Sequence, residues 1–275
     1  MPSLSMTGQE ASRLFESIGC VERMRFFKKR APRRTQTEYF AYGVTSRSTY
    51  AKGILDDETG YDRDGDRLPR INMAMYLGRQ SMPPAFYAAY QGAIVDKSHL
   101  KFMMEHNEDY GIKGVCFVLG WGFASAANIE FMRQNGYPLM TAFENRAKAV
   151  KETILRHRAS VQSSCNCLDG FKMFGLAVRG EYHGAASTLH VHFNPELAAD
   201  QTDGLCRKTA SDEETLSRKN ELTKAEIREF IRCFSLPKRD NSGGPRWTRD
   251  FEAIDAIAKD LGYACILTNT TLTSK

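Results

Sequence analysis

The chain is expected to fold as an α/β protein, a mixed sheet flanked by helices, and three observations carry that expectation. Val115 to Leu119 is an unbroken apolar run, short enough for a buried strand. It passes through Gly120-Trp121-Gly122 into a helical pattern that Ser125 can cap, and strand, tight turn and helix in that order belong to α/β sheets. Three segments rich in aromatic and alternating apolar residues precede it in close succession, as hairpin-connected strands do.

Taken in order, residues 7–19 form a short amphipathic helix. Thr7 and Glu10 make a capping box, and Leu14, Phe15 and Ile18 its apolar face. Thr37 to Thr45 is a strand. Gly43 stands inside it with no turn partner, which predicts a bulge or a close backbone approach. Asp62, Asp64 and Asp66 alternate like the opening of a calcium loop. Arg67 holds the place of the required glycine and Met73 that of the bidentate glutamate, so a charged loop is expected there instead. Ile71 to Leu77 and Pro83 to Tyr90 are the next strands, and Gln91-Gly92-Ala93 turns out of the sheet. Lys97 to Tyr110 is helical and buries Leu100, Met103 and Met104.

Beyond the central strand and turn, Ile129, Phe131 and Met132 give the capped helix its apolar contacts, and Asn135-Gly136 closes it before a strand at Pro138 to Phe143. Gly170 to Glu181 and Ser187 to Phe193 read as strands. Pro195 to Leu222 reads as a polar helix capped by Asn194, and Thr223 to Phe234 as a helix with a Thr223–Glu226 capping box. Pro237 to Arg249 is a linker dense in glycine, proline and charge. Phe251 to Leu261 is the last helix and Ala264 to Thr268 the last strand. Internal repeats and low-complexity tracts are absent from the sequence.

At 275 residues, 42% hydrophobic and 11% aromatic, the chain has ample material for a core and is not of disordered composition. No apolar run reaches the length of a membrane span and no signal-peptide pattern opens the chain, so a soluble, cytoplasmic protein is expected. Seven scattered cysteines fit reduced thiols. Cys165 and Cys167, with His190 and His192 alternating on a strand, could be imagined as a zinc site, but the Cys-x-Cys spacing is tighter than structural zinc uses.

Charge is unevenly placed. The net charge is +5, and residues 1–34 carry all of it, with eight Lys or Arg against three Glu. Arg23, Arg25, Lys28, Lys29, Arg30, Arg33 and Arg34 interleave with Phe26 and Phe27, a pattern able to neutralise phosphates. Arg246, Trp247 and Arg249 form a second candidate for DNA contact, although a tryptophan in such a loop more often covers a core.

Four ordered segments within residues 39–145 resemble the DDE transposases of bacterial insertion sequences. The group in question is the large one whose RNase H-like core carries a β-rich insertion. Tyr39 to Ser46 is similar to its first catalytic strand, and Asp62 to Asn72 to the segment entering its second strand. Gln91 to Asp96 is similar to its proline-glycine-asparagine turn with a trailing aspartate. Val118 to Ile129 is similar to its second catalytic motif, an aspartate-arginine-glycine after an apolar strand. The β, β, β, α, β, α, β order suits such a core. The resemblance implies a basic N-terminal segment over 1–36, the first part of the core over 37–150, an inserted α+β region over 151–249, and a return helix and strand over 250–275.

The departures from that pattern decide what chemistry is expected. The resemblance implies an aspartate where this chain has Gly43, another where it has Gly120, and an arginine where it has Trp121. It also implies a glutamate on a later helix, which is expected to be missing here. The family cuts and joins DNA with two divalent ions, Mg2+ or Mn2+, held by those carboxylates. Glycine offers no oxygen ligand, so no catalytic residue is intact, no metal is expected to be retained, and the chain is expected to be catalytically inactive. DNA is the implied partner, with a second copy or an intact transposase as further ones. A non-cleaving DNA-binding regulator is the alternative. A dinucleotide-binding enzyme using Gly120-Trp121-Gly122, with Glu144 as ribose-binding acid, is a weaker one, because Ser125 holds the third glycine position. Hydrolase chemistry from Ser125, His99 or His183 has no supporting motif.

Overall fold

The computed structural model describes residues 7–30, 39–48, 58–59, 69–78, 84–92, 94, 96–110, 112, 115–143, 147–182, 184–219, 222–235 and 247–269. The charged loop expected around Asp62, Asp64 and Asp66, most of the linker before Trp247, and residues 1–6 lie outside them. Arg33, Arg34, Glu144, His183 and Arg246 do as well, and so does the side chain of Arg30. The fold is mixed α/β, with a large mixed sheet flanked by helices.

Its strands are β1 (Tyr39–Ser48), β2 (Glu58–Thr59), β3 (Pro69–Gly78), β4 (Pro84–Gln91), β5 (Cys116–Leu119), β6 (Leu139–Phe143), β7 (Cys167–Leu168), β8 (Met173–Tyr182), β9 (Ala185–Phe193) and β12 (Tyr263–Thr268). Neighbours run β2-β3-β1-β5-β6-β12-β9-β8-β7, with β4 also on β3. A small separate pair joins β10 (Phe234–Ser235) to β11 (Thr248–Arg249).

The chain divides into two compact units. The first comprises residues 1–144, 179–189 and 266–275, and the second comprises 145–178 and 190–265. In the first unit β1, β3 and β4 form an antiparallel meander, and β5 and β6 then add in parallel beside β1. Parallel pairs require crossovers, and two helices supply them: α3 (Asp96–Glu105) and α4 (Ala126–Gln134). One face of the sheet is the core. Phe40, Tyr42, Ala74, Tyr76, Phe117 and Leu119 are buried there, as are Leu100, Met103 and Met104 of α3 and Ile129 and Met132 of α4.

Two expectations change in this unit. The β1–β3 register runs unbroken from Phe40–Gly78 to Ser48–Arg70, so Gly43 marks no bulge. A Cβ at Gly43 would meet nothing within 4 Å, so it marks no close approach either. The ladder irregularity lies elsewhere, between Tyr76 and Leu77 on β3 against β4. The first helix, α1 (Gly8–Ser17), has the capping box read from Thr7 and Glu10, but its apolar face is uncovered: no residue of α1 is buried, and Phe15 is 69% exposed.

The basic stretch folds into a helix, α2 (Cys20–Arg30), which the sequence marked only by its charge. Phe27 is 2% exposed and holds it, edge-on to Phe86 at 4.9 Å, Tyr87 at 5.3 Å and Tyr110 at 6.2 Å.

The second unit holds α5 (Lys148–Val161), α6 (Pro195–Arg218), α7 (Lys224–Phe230) and α8 (Phe251–Ala258). Asn194 caps α6, and Thr223 with Glu226 boxes α7 as expected. Gly262 is required where it stands. Its φ is +79°, and a Cβ there would lie 2.5 Å from that of Ala198.

Candidate functional site

The site is the carboxyl end of the parallel β1–β5 pair, where α/β sheets place their chemistry. The register pairs Tyr39 with Cys116 and ends on Tyr42 with Leu119. Gly43 and Gly120 are the next residues on each strand. Tyr42 and Leu119 are buried on the core face, so the two glycines share the opposite one. Neither has a backbone that demands glycine. Both φ values lie outside the left-handed region, and the atom nearest a Cβ on Gly120 is Phe123 Cδ2 at 4.0 Å. The fold therefore brings the two positions together and leaves both without a metal-binding oxygen.

Beyond Gly120 the chain makes a 3-10 turn, Trp121–Phe123, closed by Phe123 N–H donating to the Gly120 carbonyl at 3.0 Å. Trp121 is 64% exposed at its apex. Ser125 Oγ accepts from Asn128 N–H and caps α4 as expected. The buried Asn128 amide donates to the carbonyls of Phe123 (3.0 Å) and Lys97 (3.2 Å), tying the turn to the start of α3.

On the core face the end of the sheet meets the first turn of α3. Tyr90 Oη donates to Asp96 Oδ1 at 2.6 Å. His99 lies flat on the Tyr90 ring, centroids 3.7 Å apart and planes 11° from parallel, and its Nδ1 has no partner among the described residues. Tyr42 packs edge-on to Phe123 at 4.8 Å, and its buried hydroxyl also lacks a partner among the described residues. Burial raises the Tyr42 phenol, with the Asp96 charge adding to it. In the sequence Asp96 is marked only as the acid trailing a turn and Asn128 only as part of a motif. A polar residue on a helix face otherwise facing the core is the one signal that marks Asn128.

Burial lowers His99 to about 4, against a smaller raising effect from Asp96. Its stabilising contribution as a neutral ring is therefore complete above the unfolded value near 6.5, is lost as pH falls from there toward 4, and levels off below. Burial lowers His190 and His192 in the same direction. Urea unfolding of the wild type should lose up to about 3 kcal/mol over that window from His99 alone. The His99→Gln variant should show that much less pH dependence, and equal pH slopes for the two proteins would exclude His99 as the cause.

The remaining candidates separate by environment. Arg25, Lys28 and Lys29 are exposed on α2, while Arg23 is half-buried with its guanidinium on Cys20 Sγ. Trp247 packs on Leu216, Phe230 and Phe234, the core-covering arrangement weighed from sequence. Arg249 donates to Glu213 Oε2 through Nε at 3.0 Å and Nη2 at 2.5 Å. Cys165 and Cys167 are exposed, and His190 and His192 are half-buried on β9. Among the described residues no group of three or more His, Cys, Asp or Glu side chains is placed to hold a metal ion. No helix among them is long and apolar enough to cross a membrane.

No protein-family model matches the chain. No curated protein matches it either. Among solved structures it is similar to a chain in a cryo-EM structure of the piggyBac transposase synaptic complex with hairpin DNA. The TM-score is 0.32 and the identity 11%, over 57% of this chain and 30% of that one. The match thus spans less than a third of that protein's length.

Proposed function

We propose that this chain is an RNase H-like protein of the DDE-transposase type that binds DNA without cutting it. The observation that carries the reading is the placement of Gly43 and Gly120. They follow the last register pair of two parallel strands, side by side, where the insertion-sequence resemblance implies two metal-holding aspartates. The order β4-β3-β1-β5-β6, an antiparallel meander with two parallel strands added beside the first, is the connectivity expected of an RNase H-like core and supports it. In this reading residues 37–150 supply the first part of that core. With no oxygen ligand at either position, two-metal activation of a nucleophile has no seat at this end of the sheet. The exposed cations Arg25, Lys28 and Lys29 of α2 remain able to neutralise phosphates.

The test pairs two assays on the full chain. Fluorescence anisotropy with labelled DNA should show binding that weakens steeply with salt. Supercoiled plasmid incubated with Mg2+ or Mn2+ should remain un-nicked. Metal-dependent nicking that co-purifies with the protein would overturn the non-cleaving reading, and absence of salt-sensitive binding would overturn the DNA-binding one.

A further inference from the structure

We propose that α2 and the adjoining edge of β4 form a stacking platform for unpaired bases, so that the nucleic acid this protein prefers is single-stranded. The inference rests on the DNA-binding reading and adds the strand state of the partner. Phe27 is sunk between two other rings. Phe26 stands 5.6 Å from it by centroid and is 54% exposed, and Tyr87 of β4 stands 5.3 Å from it and is 37% exposed. Two water-facing aromatic rings are thereby fixed beside one buried anchor, and among the described residues β4 pairs with β3 alone. Arg25, Lys28 and Lys29 project from the exposed side of the same helix.

Burying Phe27 is ordinary core formation, whereas Phe26 and Tyr87 touch it by their edges and stay exposed, on and next to a helix that carries three exposed cations. Bases in a duplex are stacked on one another and cannot reach such rings. A single strand offers both faces of its bases to the aromatics and its phosphates to the cations. A protein partner would cover the rings equally well, but the cations supply a positive rim that a polyanion matches.

The experiment compares a labelled single strand of mixed sequence with the same sequence as a duplex, each over a salt series. Wild type should bind the single strand more tightly. Phe26→Ala and Tyr87→Ala should each weaken single-strand binding between about fivefold and a hundredfold. In Phe26→Ala duplex binding and thermal unfolding should stay where they were, since that ring is 54% exposed. Tyr87 also seats Phe27, so Tyr87→Ala should loosen α2 and is read by its ratio of single-strand to duplex affinity, which loosening alone leaves unchanged. Arg25→Ala with Lys28→Ala and Lys29→Ala should weaken both substrates and flatten the single-strand salt dependence by about two units of log–log slope. Equal loss on both substrates from the aromatic variants, or no single-strand preference, overturns the platform while leaving DNA binding intact. Wild type that binds neither substrate defeats the underlying DNA-binding reading instead.

Discussion

Phe27→Ala should weaken the docking of α2 by about 3–5 kcal/mol, the cost of removing a fully buried phenyl ring. No other side chain described on α2 is buried, and Arg23 and Met24 are half-buried, so Phe27 is its main anchor. The cavity would be lined by Phe86, Tyr87 and Tyr110, held by the sheet and by the turn after α3, and could not collapse around the missing ring. Native-state hydrogen exchange should show the α2 amides opening without the rest of the first unit, and limited proteolysis should cut within 20–30 sooner. Phe26→Ala, one residue away and exposed, should change stability by less than about 0.5 kcal/mol. DNA affinity should fall in the Phe27 variant as well, because its cations would no longer be presented on a fixed helix. Equal exchange behaviour in the two variants would show that α2 is held by something other than Phe27.

Comparison of sequence with structure shows which physical signals are local. The helix caps at Thr7, Ser125, Asn194 and Thr223 were legible because each is a bond between residues three apart, and all are present. The central strand and its turn were legible for the same reason. What α2 would be was not. Its five Lys or Arg obscured the one feature that decides its position, a phenylalanine whose partners lie about 60 to 83 residues away. The exposed apolar stripe of α1 shows the limit from the other side: amphipathicity predicts the helix but not what, if anything, covers it. In the candidate site, the side-by-side placement of Gly43 and Gly120 follows from a parallel register that no spacing between residues 43 and 120 encodes. The hold of Asp96 by Tyr90 and the bridging by Asn128 depend on that same assembly.

Replacing both glycines, Gly43→Asp with Gly120→Asp, should create a divalent-ion site at this end of the sheet. Two carboxylates on adjacent parallel strands stand about 4.8 Å apart at the backbone. With nothing within 4 Å of a Cβ at Gly43 and only Phe123 at that limit at Gly120, both side chains can be accommodated without moving the sheet. Without metal the pair should repel, and the double variant should be less stable than either single variant. With Mn2+ at about a hundred times its dissociation constant, binding to the folded state alone should return about 2.7 kcal/mol. Thermal unfolding read with and without Mn2+ should therefore shift upward in the double variant, hardly at all in the single variants, and not at all in the wild type. A shift that needs both substitutions would show that the two positions converge on one ion, as the transposase-type reading requires. If the double variant gains no more from Mn2+ than the single ones, the two glycines do not mark ligand positions, and that reading loses the observation on which it rests.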